Sequence, residues 1–462
     1  MDQAQLTFVP VDLPHDWLIY DTTNLYETSI GWYRRYLDCT KAAHVFLYFE
    51  GVYMDCSLYV NDTWIGDHKN GYTSFEFEIT EALREGTNEI LVKVVHQAPN
   101  SRWYSGAGIY RDVWLKTREK DYLVTDGIYV STKKTGEVEV ASEVVLGSGK
   151  PVHLTQIISR DGDLLARSSC CLDPQATTQA GVQINRQSLK LDHVELWSPK
   201  SPSLYQLVTL LEGDQGEPLD SVTQQIGFRD IVFHPDAGLR VNGQPLKLQG
   251  VCEHHDLGAL GSAFNRHALA QRLKLLREMG VNAIRTAHNV PAKALMELAD
   301  ELGFFVISEV FDMWERAKNP YDYARFFPAW ARGDVARWVR RDRNHPSLLM
   351  WSIGNEVFDT HLGERGVELT QLLVDLVRKD DPNSNGVTTF GSNYLPWEKT
   401  RRCAELLDVV GYNYGAKFYG EHHQEYSHWV IYGSETCAVV QSRGIYHFPL
   451  EKPVLADDDR QC

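Results

Sequence analysis

From about residue 233 onward, short apolar runs alternate with amphipathic helical segments, and this rhythm constrains the fold more than any other feature of the chain. Pro245-Leu-Lys-Leu-Gln-Gly-Val251 reads as a strand. Leu269, Leu273 and Leu276 then mark one helical face, and Val281-Asn-Ala-Ile-Arg285 is the next strand. A helix opens at Pro291 and ends at Gly303, the favoured order of proline first and glycine last. Phe304-Phe-Val-Ile307, Leu348-Leu-Met-Trp-Ser-Ile353, Gly386-Val-Thr-Thr-Phe390, Val409-Val-Gly-Tyr412 and Trp429-Val-Ile-Tyr432 continue the series, with a helix near 364–379. Repetition at about thirty residues per unit predicts a (β/α)8 TIM barrel. Seven barrel strands are legible. The 27 residues after Glu435 carry two prolines between Phe448 and Leu455 and a charged Asp457-Asp-Asp459, with no convincing eighth strand. The expectation is an incomplete barrel lacking its last strand, in a chain cut short at both ends, because a seven-stranded sheet leaves two unpaired edges.

The preceding residues read as β structure. Up to about 118, Phe46-Leu-Tyr-Phe49, Cys56-Ser-Leu-Tyr-Val60, Ile90-Leu-Val-Lys-Val94 and Asp112-Val-Trp-Leu115 are strands, with a turn inside Val60-Asn-Asp-Thr-Trp64. Residues 119–232 repeat the theme in Gly127-Ile-Tyr-Val-Ser131, Val138-Glu-Val-Ala141, Val152-His-Leu-Thr-Gln156 and Gln206-Leu-Val-Thr-Leu210. Short strands broken by Gly, Asn and Asp turns predict β-sandwiches, the second immunoglobulin-like. Three domains are expected, over 1–118, 119–232 and 233–462, since 462 residues exceed what one core serves.

A net charge of −16 argues against nucleic acid and anionic membranes as partners. No run of 18 apolar residues is present. The first ten residues lack the basic and apolar regions of a signal peptide. The 8 cysteines show no C-x-x-C spacing, so neither a disulfide framework nor a zinc site is legible, and a reducing, cytoplasmic location is expected. The 12 Trp and 22 Tyr suit sugar faces as well as sandwich cores.

Two glutamates stand immediately after barrel strands: Glu356 after Trp351-Ser-Ile-Gly-Asn355, and Glu435 after Val430-Ile-Tyr-Gly-Ser434. The C-terminal strand ends build the active site of such barrels. The fourth and seventh ends face each other across one mouth, so both carboxylates can address a shared centre. Glycoside hydrolysis needs such a pair, one to protonate the leaving oxygen and one to attack the anomeric carbon, about 5–5.5 Å apart in retaining enzymes. Either Glu can fill either role on pKa grounds alone.

The chain resembles the family 2 glycoside hydrolases, the β-galactosidase and β-glucuronidase group. The resemblance rests on Val11-Asp-Leu-Pro-His-Asp-Trp17, Gly31-Trp-Tyr-Arg34, Leu58-Tyr-Val-Asn61 and Trp103-Tyr-Ser-Gly-Ala-Gly-Ile-Tyr-Arg-Asp-Val-Trp-Leu115, which look like the family's sugar-binding jelly roll. It rests also on Leu196-Trp-Ser-Pro199, Pro202-Ser-Leu-Tyr205 and Gly227-Phe-Arg229 in the second domain. In the barrel it is carried by Gly250-Val-Cys-Glu-His-His255, Arg285-Thr-Ala-His-Asn289, Asn344-His-Pro-Ser347 with Trp351-Ser-Ile-Gly-Asn-Glu356, and Gly433-Ser-Glu-Thr436 with Ser442-Arg-Gly-Ile-Tyr446.

The resemblance implies Glu356 as acid/base and Glu435 as nucleophile of a retaining exo-β-galactosidase, with β-glucuronidase as the sister activity and an inactive carbohydrate-binding fragment as the other reading. It implies that His288 and Asn289 reach sugar hydroxyls, that Asn355 holds the 2-hydroxyl, and that Tyr414 contacts the nucleophile, with Tyr412 the rival. Glu309 and Asp312 either bind substrate or brace the site. Asn100 and Arg102 either lend a loop to the barrel mouth or form a surface hairpin. The best-known β-galactosidases hold magnesium partly through a Glu and a His after the third strand. Phe311-Asp-Met-Trp314 supplies no such pair, so no metal and no cofactor is expected. The partner expected is a β-galactoside oligosaccharide or glycoside, with a homo-oligomer expected of the complete protein.

Overall fold

A computed structural model describes residues 7–38, 42–174 and 181–437. The stretch after 437, in which no eighth strand is legible, and Ser442-Arg-Gly-Ile-Tyr446 lie outside the described residues. The first domain is a sandwich of two antiparallel sheets. One has the order Ser29–Asp38, Thr87–His96, Cys56–Val60, Thr63–His68, and the other the order Phe75–Glu78, His44–Phe49, Val113–Arg118. Alternation turns Cys56, Leu58 and Val60 inward against Val45, Leu47 and Phe49 of the facing sheet. Asn61 and Asp62 form the tight turn between two of these strands with φ of 49° and 66°. That left-handed backbone suits a two-residue hairpin and is tolerated by Asn and Asp.

The second domain is another sandwich. Asp163–Leu172, Val152–Arg160, Tyr205–Glu212 and Pro218–Ile226 form one sheet, and Val182–Lys190, Glu137–Leu146 and Asp121–Thr132 the other. Asp163–Leu172, Val182–Lys190 and Pro218–Ile226 went unpredicted because apolar residues do not alternate cleanly along them: Leu164, Leu165 and Ile184 are exposed while Gln187 is buried.

A three-stranded meander, Ile231–His234, Gly238–Val241 and Gln244–Pro245, leads into the barrel. The sequence predicts one strand over Pro245–Val251; the structure has two. Pro245 pairs with Arg240 in the meander, and the first barrel strand is Gly250–Glu253. The alternation continued through the connection because Leu246 and Leu248 pack on the barrel floor. Pro245 lacks an N–H and sits where a two-residue edge strand needs none.

The barrel strands follow in chain order and run parallel: Gly250–Glu253, Ala283–Thr286, Phe305–Glu309, Leu348–Asn355, Val387–Ser392, Val410–Asn413 and Ile431–Glu435. They curl into a nearly closed barrel, and the Cys252 thiol lies 3.5 Å from the carbonyl oxygen of Ser434 on the seventh strand. The helix Lys293–Leu302 buries Leu295, Met296, Leu298 and Ala299, and Gly303 ends it at φ 75°. The helix Phe327–Asp342 was not read from sequence, because its buried face carries Asp334, Arg341 and Asp342 among the apolar residues. Arg341 pairs with Asp342, and the Tyr323 hydroxyl donates to Asp334.

The N-terminal end of the barrel is sealed by the second domain and the meander. Trp197, fully buried, packs with Leu239 and Val241 against Ala283, Phe305 and Ile307, and its indole donates to the Asp300 carbonyl at 3.0 Å. Asn344, in the Asn344-His-Pro-Ser347 motif, also belongs to this joint rather than to the barrel mouth. Its Oδ1 accepts from the Val130 amide at 2.9 Å, and its Nδ2 donates to the Ile128 carbonyl at 2.8 Å. We expect Trp197→Ala to destabilise the fold by about 3–5 kcal/mol, through the cavity and the orphaned Asp300 carbonyl. A denaturant midpoint within error of the parent would show that this joint carries little stability.

Candidate active site

The barrel opens at the C-terminal strand ends into a cleft of about 680 Å³, lined among others by Arg102, His288, Asn355, Glu356, Tyr414 and Glu435. Both glutamates are mostly covered, with 12% and 13% of their side chains exposed. Glu356 and Tyr414 have φ of 46° and 53°. Left-handed backbone at such residues costs about 1–3 kcal/mol and persists only where neighbours over-determine it. Here the Glu356 amide donates to the Gly391 carbonyl at 2.7 Å and the Tyr414 amide to the Glu435 carbonyl at 2.7 Å. Each bend turns a side chain into the cleft and is locked by the adjacent strand.

Beneath the carboxylates lies Arg285, on the second strand and 3% exposed. Its Nε and Nη2 donate to Glu309 Oε2 at 3.0 and 2.7 Å, its Nη2 to Asn355 Oδ1 at 2.9 Å, and its Nη1 to Glu435 Oε1 at 2.7 Å. Gly391 makes room for it: a Cβ there would stand 2.5 Å from Arg285 Nη2. The Tyr414 hydroxyl donates to Glu435 Oε2 at 2.5 Å. Tyr412 also lines the cleft, but its hydroxyl is committed to His422 Nδ1 at 2.8 Å. Burial acts to raise the Glu435 carboxyl, but the charges of Arg285 and His288 and the Tyr414 hydrogen bond outweigh it and hold the group below its ordinary value. Burial, then the hydrogen bond and charge of Glu435, push the Tyr414 phenol up, so it stays a donor.

Glu356 is held differently. Asn413 Nδ2 donates to its Oε1 at 3.0 Å, and Arg102 Nη1 donates to its Oε2 at 3.3 Å. Arg102 comes from the first domain and also grips Asp312, with Nη2 to Oδ1 at 2.6 Å. Lys318 donates to Asp312 Oδ1 and to the Asn355 carbonyl, both at 2.8 Å. Burial opposes ionisation of Asp312, yet Lys318 and Arg102 hold it well below the usual carboxylate range.

The remaining expected residues fall into three groups. His288 lines the cleft, with Nδ1 2.6 Å from Glu309 Oε1 and Nε2 3.6 Å from Glu435 Oε1. Asn355 lines it too, though its amide is committed, accepting from Arg285 and Asn413 and donating to Asp312 at 2.9 Å. Glu309 and Asp312 sit below the surface, taken up by Arg285, His288, Ser352, Lys318 and Arg102; as placed, they brace the site. Asn100 and Asn289 are not brought to the cleft. Asn100 is buried behind it, accepting from Tyr53 and Ser105, and Asn289 faces a separate small cavity beside Arg111. Arg285, Lys318 and Asn413 were missed as site residues. The available signal was a lone arginine closing an apolar strand, where a charge survives only if paired.

Three family models match along most of the chain: the glycosyl hydrolases family 2 sugar binding domain over 9–119, glycosyl hydrolases family 2 over 122–229, and the glycosyl hydrolases family 2 TIM barrel domain over 235–429. The chain belongs to family 2 of the glycoside hydrolases. It is 34% identical to the β-galactosidase BoGH2A of Bacteroides ovatus, over 96% of this chain and 57% of that one. A β-glucuronidase of Bacteroides fragilis is 30% identical over 84% of this chain and 60% of its own length. The crystal structure of a family 2 member from Bacteroides cellulosilyticus superposes with a TM-score of 0.88 at 33% identity, covering 95% of this chain and 60% of that one. The chain thus spans somewhat over half the length of these relatives.

Replacing Arg285 with Met should cost about 3–5 kcal/mol, because Glu309 is left buried without its cation. Urea unfolding of the two proteins measures this, and an unchanged midpoint contradicts it. Glu435 adds a pH signature. A carboxyl with a depressed folded pKa contributes stability above its unfolded value and loses it as pH falls through the folded value. The stability of the parent relative to Glu435→Gln should therefore decline as the pH is lowered through the acid range. A difference independent of pH would contradict the depressed value.

Proposed function

We propose that the complete protein hydrolyses terminal non-reducing β-D-galactosides by double displacement with retention, using Glu435 as nucleophile and Glu356 as acid/base. The observation that carries this reading is the asymmetry between two carboxylates sharing one cleft. Glu435 is kept ionised by Arg285, His288 and Tyr414, as an attacking group must be. Glu356 sits on the fourth strand end with an amide and one partly exposed guanidinium for company, open to a leaving oxygen. In the first step Glu435 forms an ester with the anomeric carbon while Glu356 gives its proton to the departing oxygen. In the second, Glu356 takes a proton from water, which displaces Glu435. Trp103, packed edge-on to His288 with ring centroids 5.5 Å apart, supplies an aromatic wall on the side of the nucleophile.

The galactoside assignment follows the similarity to BoGH2A. β-Glucuronidase is the second reading, supported by the Bacteroides fragilis relative and by Lys417, a cation on the cleft wall suited to a uronate carboxylate. Turnover of nitrophenyl glucuronide without nitrophenyl galactoside would replace the first reading by the second.

In the full-length protein, a 2-fluoro-galactoside should label Glu435, and Glu435→Gln should abolish labelling. Glu356→Gln should still form the glycosyl-enzyme from a substrate with an activated leaving group and then stall, with turnover lowered about 10²–10⁴-fold. Label on another residue, or normal turnover by Glu356→Gln, would sink the assignment.

A further inference from the structure

Four aromatic rings gather on the loops that follow the fourth and fifth barrel strands. The His361 ring lies 4.7 Å from those of Tyr394 and Trp397, Tyr394 and Trp397 are 5.4 Å apart, and Phe358 is 6.1 Å from His361. All four are placed by the strand ends that place the acid/base. Phe358 and His361 form the single helical turn that follows Glu356. Tyr394 and Trp397 follow Gly391, whose carbonyl receives the Glu356 amide, and Leu395 and Pro396 between them line the cleft. The cluster is open to solvent: Trp397 is 51% exposed and Phe358 36%. The rings flank the cleft rather than line it, joined to its wall through Leu395 and Pro396, and present an apolar surface next to the site.

The geometry points to a leaving-group subsite: we propose that the Phe358–His361–Tyr394–Trp397 cluster, with Trp397 its most exposed ring, stacks on a sugar ring beyond the scissile bond. This rests on the reading of Glu356 as the acid/base, since the proton donor stands on the side from which the aglycone departs. The nucleophile side is walled separately by Trp103, His254 and His288. A pyranose offers an apolar C–H face to a ring's negative face, and such contacts tolerate many linkages because they read shape rather than hydroxyl pattern.

The test compares two substrates with the same glycone in the full-length protein: β-galactosyl fluoride, which has no leaving sugar, and β-galactosyl-(1→4)-cellobiose. Trp397→Ala should lower kcat/KM for the trisaccharide about five- to tenfold and leave the fluoride within about twofold, while Trp397→Phe retains most of the trisaccharide activity. Equal losses on both substrates, or no loss on either, would overturn the subsite. A binding measurement separates this from failure of the catalytic reading. Cellobiose alone should quench tryptophan fluorescence in Glu356→Gln protein, and Trp397→Phe should remove the quenching, whatever the glycone specificity. Absence of quenching, or a dimer that Trp397→Ala dissociates, would assign the patch elsewhere and overturn the proposal.

Discussion

The charge of one buried arginine organises the C-terminal strand ends of this barrel. Arg285 joins the second, third, fourth and seventh strands through Glu309, Asn355 and Glu435. Two carboxylates pull on one guanidinium. Glu309, fully buried, also accepts from Ser352 and meets His288, and so offsets the cost of burying the cation. Glu435 keeps one edge toward the cleft, where it remains available to chemistry. Burying this many charges is tolerable only as a satisfied network, and the satisfaction gives each strand end one position.

Backbone strain supplies the complementary precision. The left-handed residues Glu356 and Tyr414 end the fourth and sixth strands, and each is clamped by a hydrogen bond from its own amide to a neighbouring strand. A regular strand extension would send these side chains along the barrel wall. The bend turns them over the mouth, where Tyr414 meets Glu435 and Glu356 meets Asn413 and Arg102. Packing at the opposite end is of another kind. Trp197, the meander and Asn344 close the floor with apolar contact and backbone hydrogen bonds, where the mouth is held by buried charges.

The barrel rhythm and the two strand-end glutamates were legible because apolar strands and the residues that follow them are read directly from periodicity. Arg285 was not, since its partners Glu309 and Glu435 lie 24 and 150 positions away and nothing local marks the pairing. The helix Phe327–Asp342 was hidden by the charges that face inward from it, a pattern that looks like loop until Tyr323 and Arg341 are seen to satisfy them. The Asn344-His-Pro-Ser347 motif was visible as a sequence, but its place at the domain joint depends on Val130 and Ile128, more than two hundred residues upstream. Asn100 and Asn289 show the reverse: both sit within a few residues of groups that reach the cleft, and both face backward.

Arg102 belongs by chain to the amino-terminal sandwich and by contact to the barrel, where it touches Asp312 and Glu356. Modularity in the gene is therefore not modularity in the machine. A barrel excised along the obvious linker would carry every carboxylate and still lack one wall of its own chamber. A sandwich put in place of this one would have to bring an arginine to the same spot to close that wall.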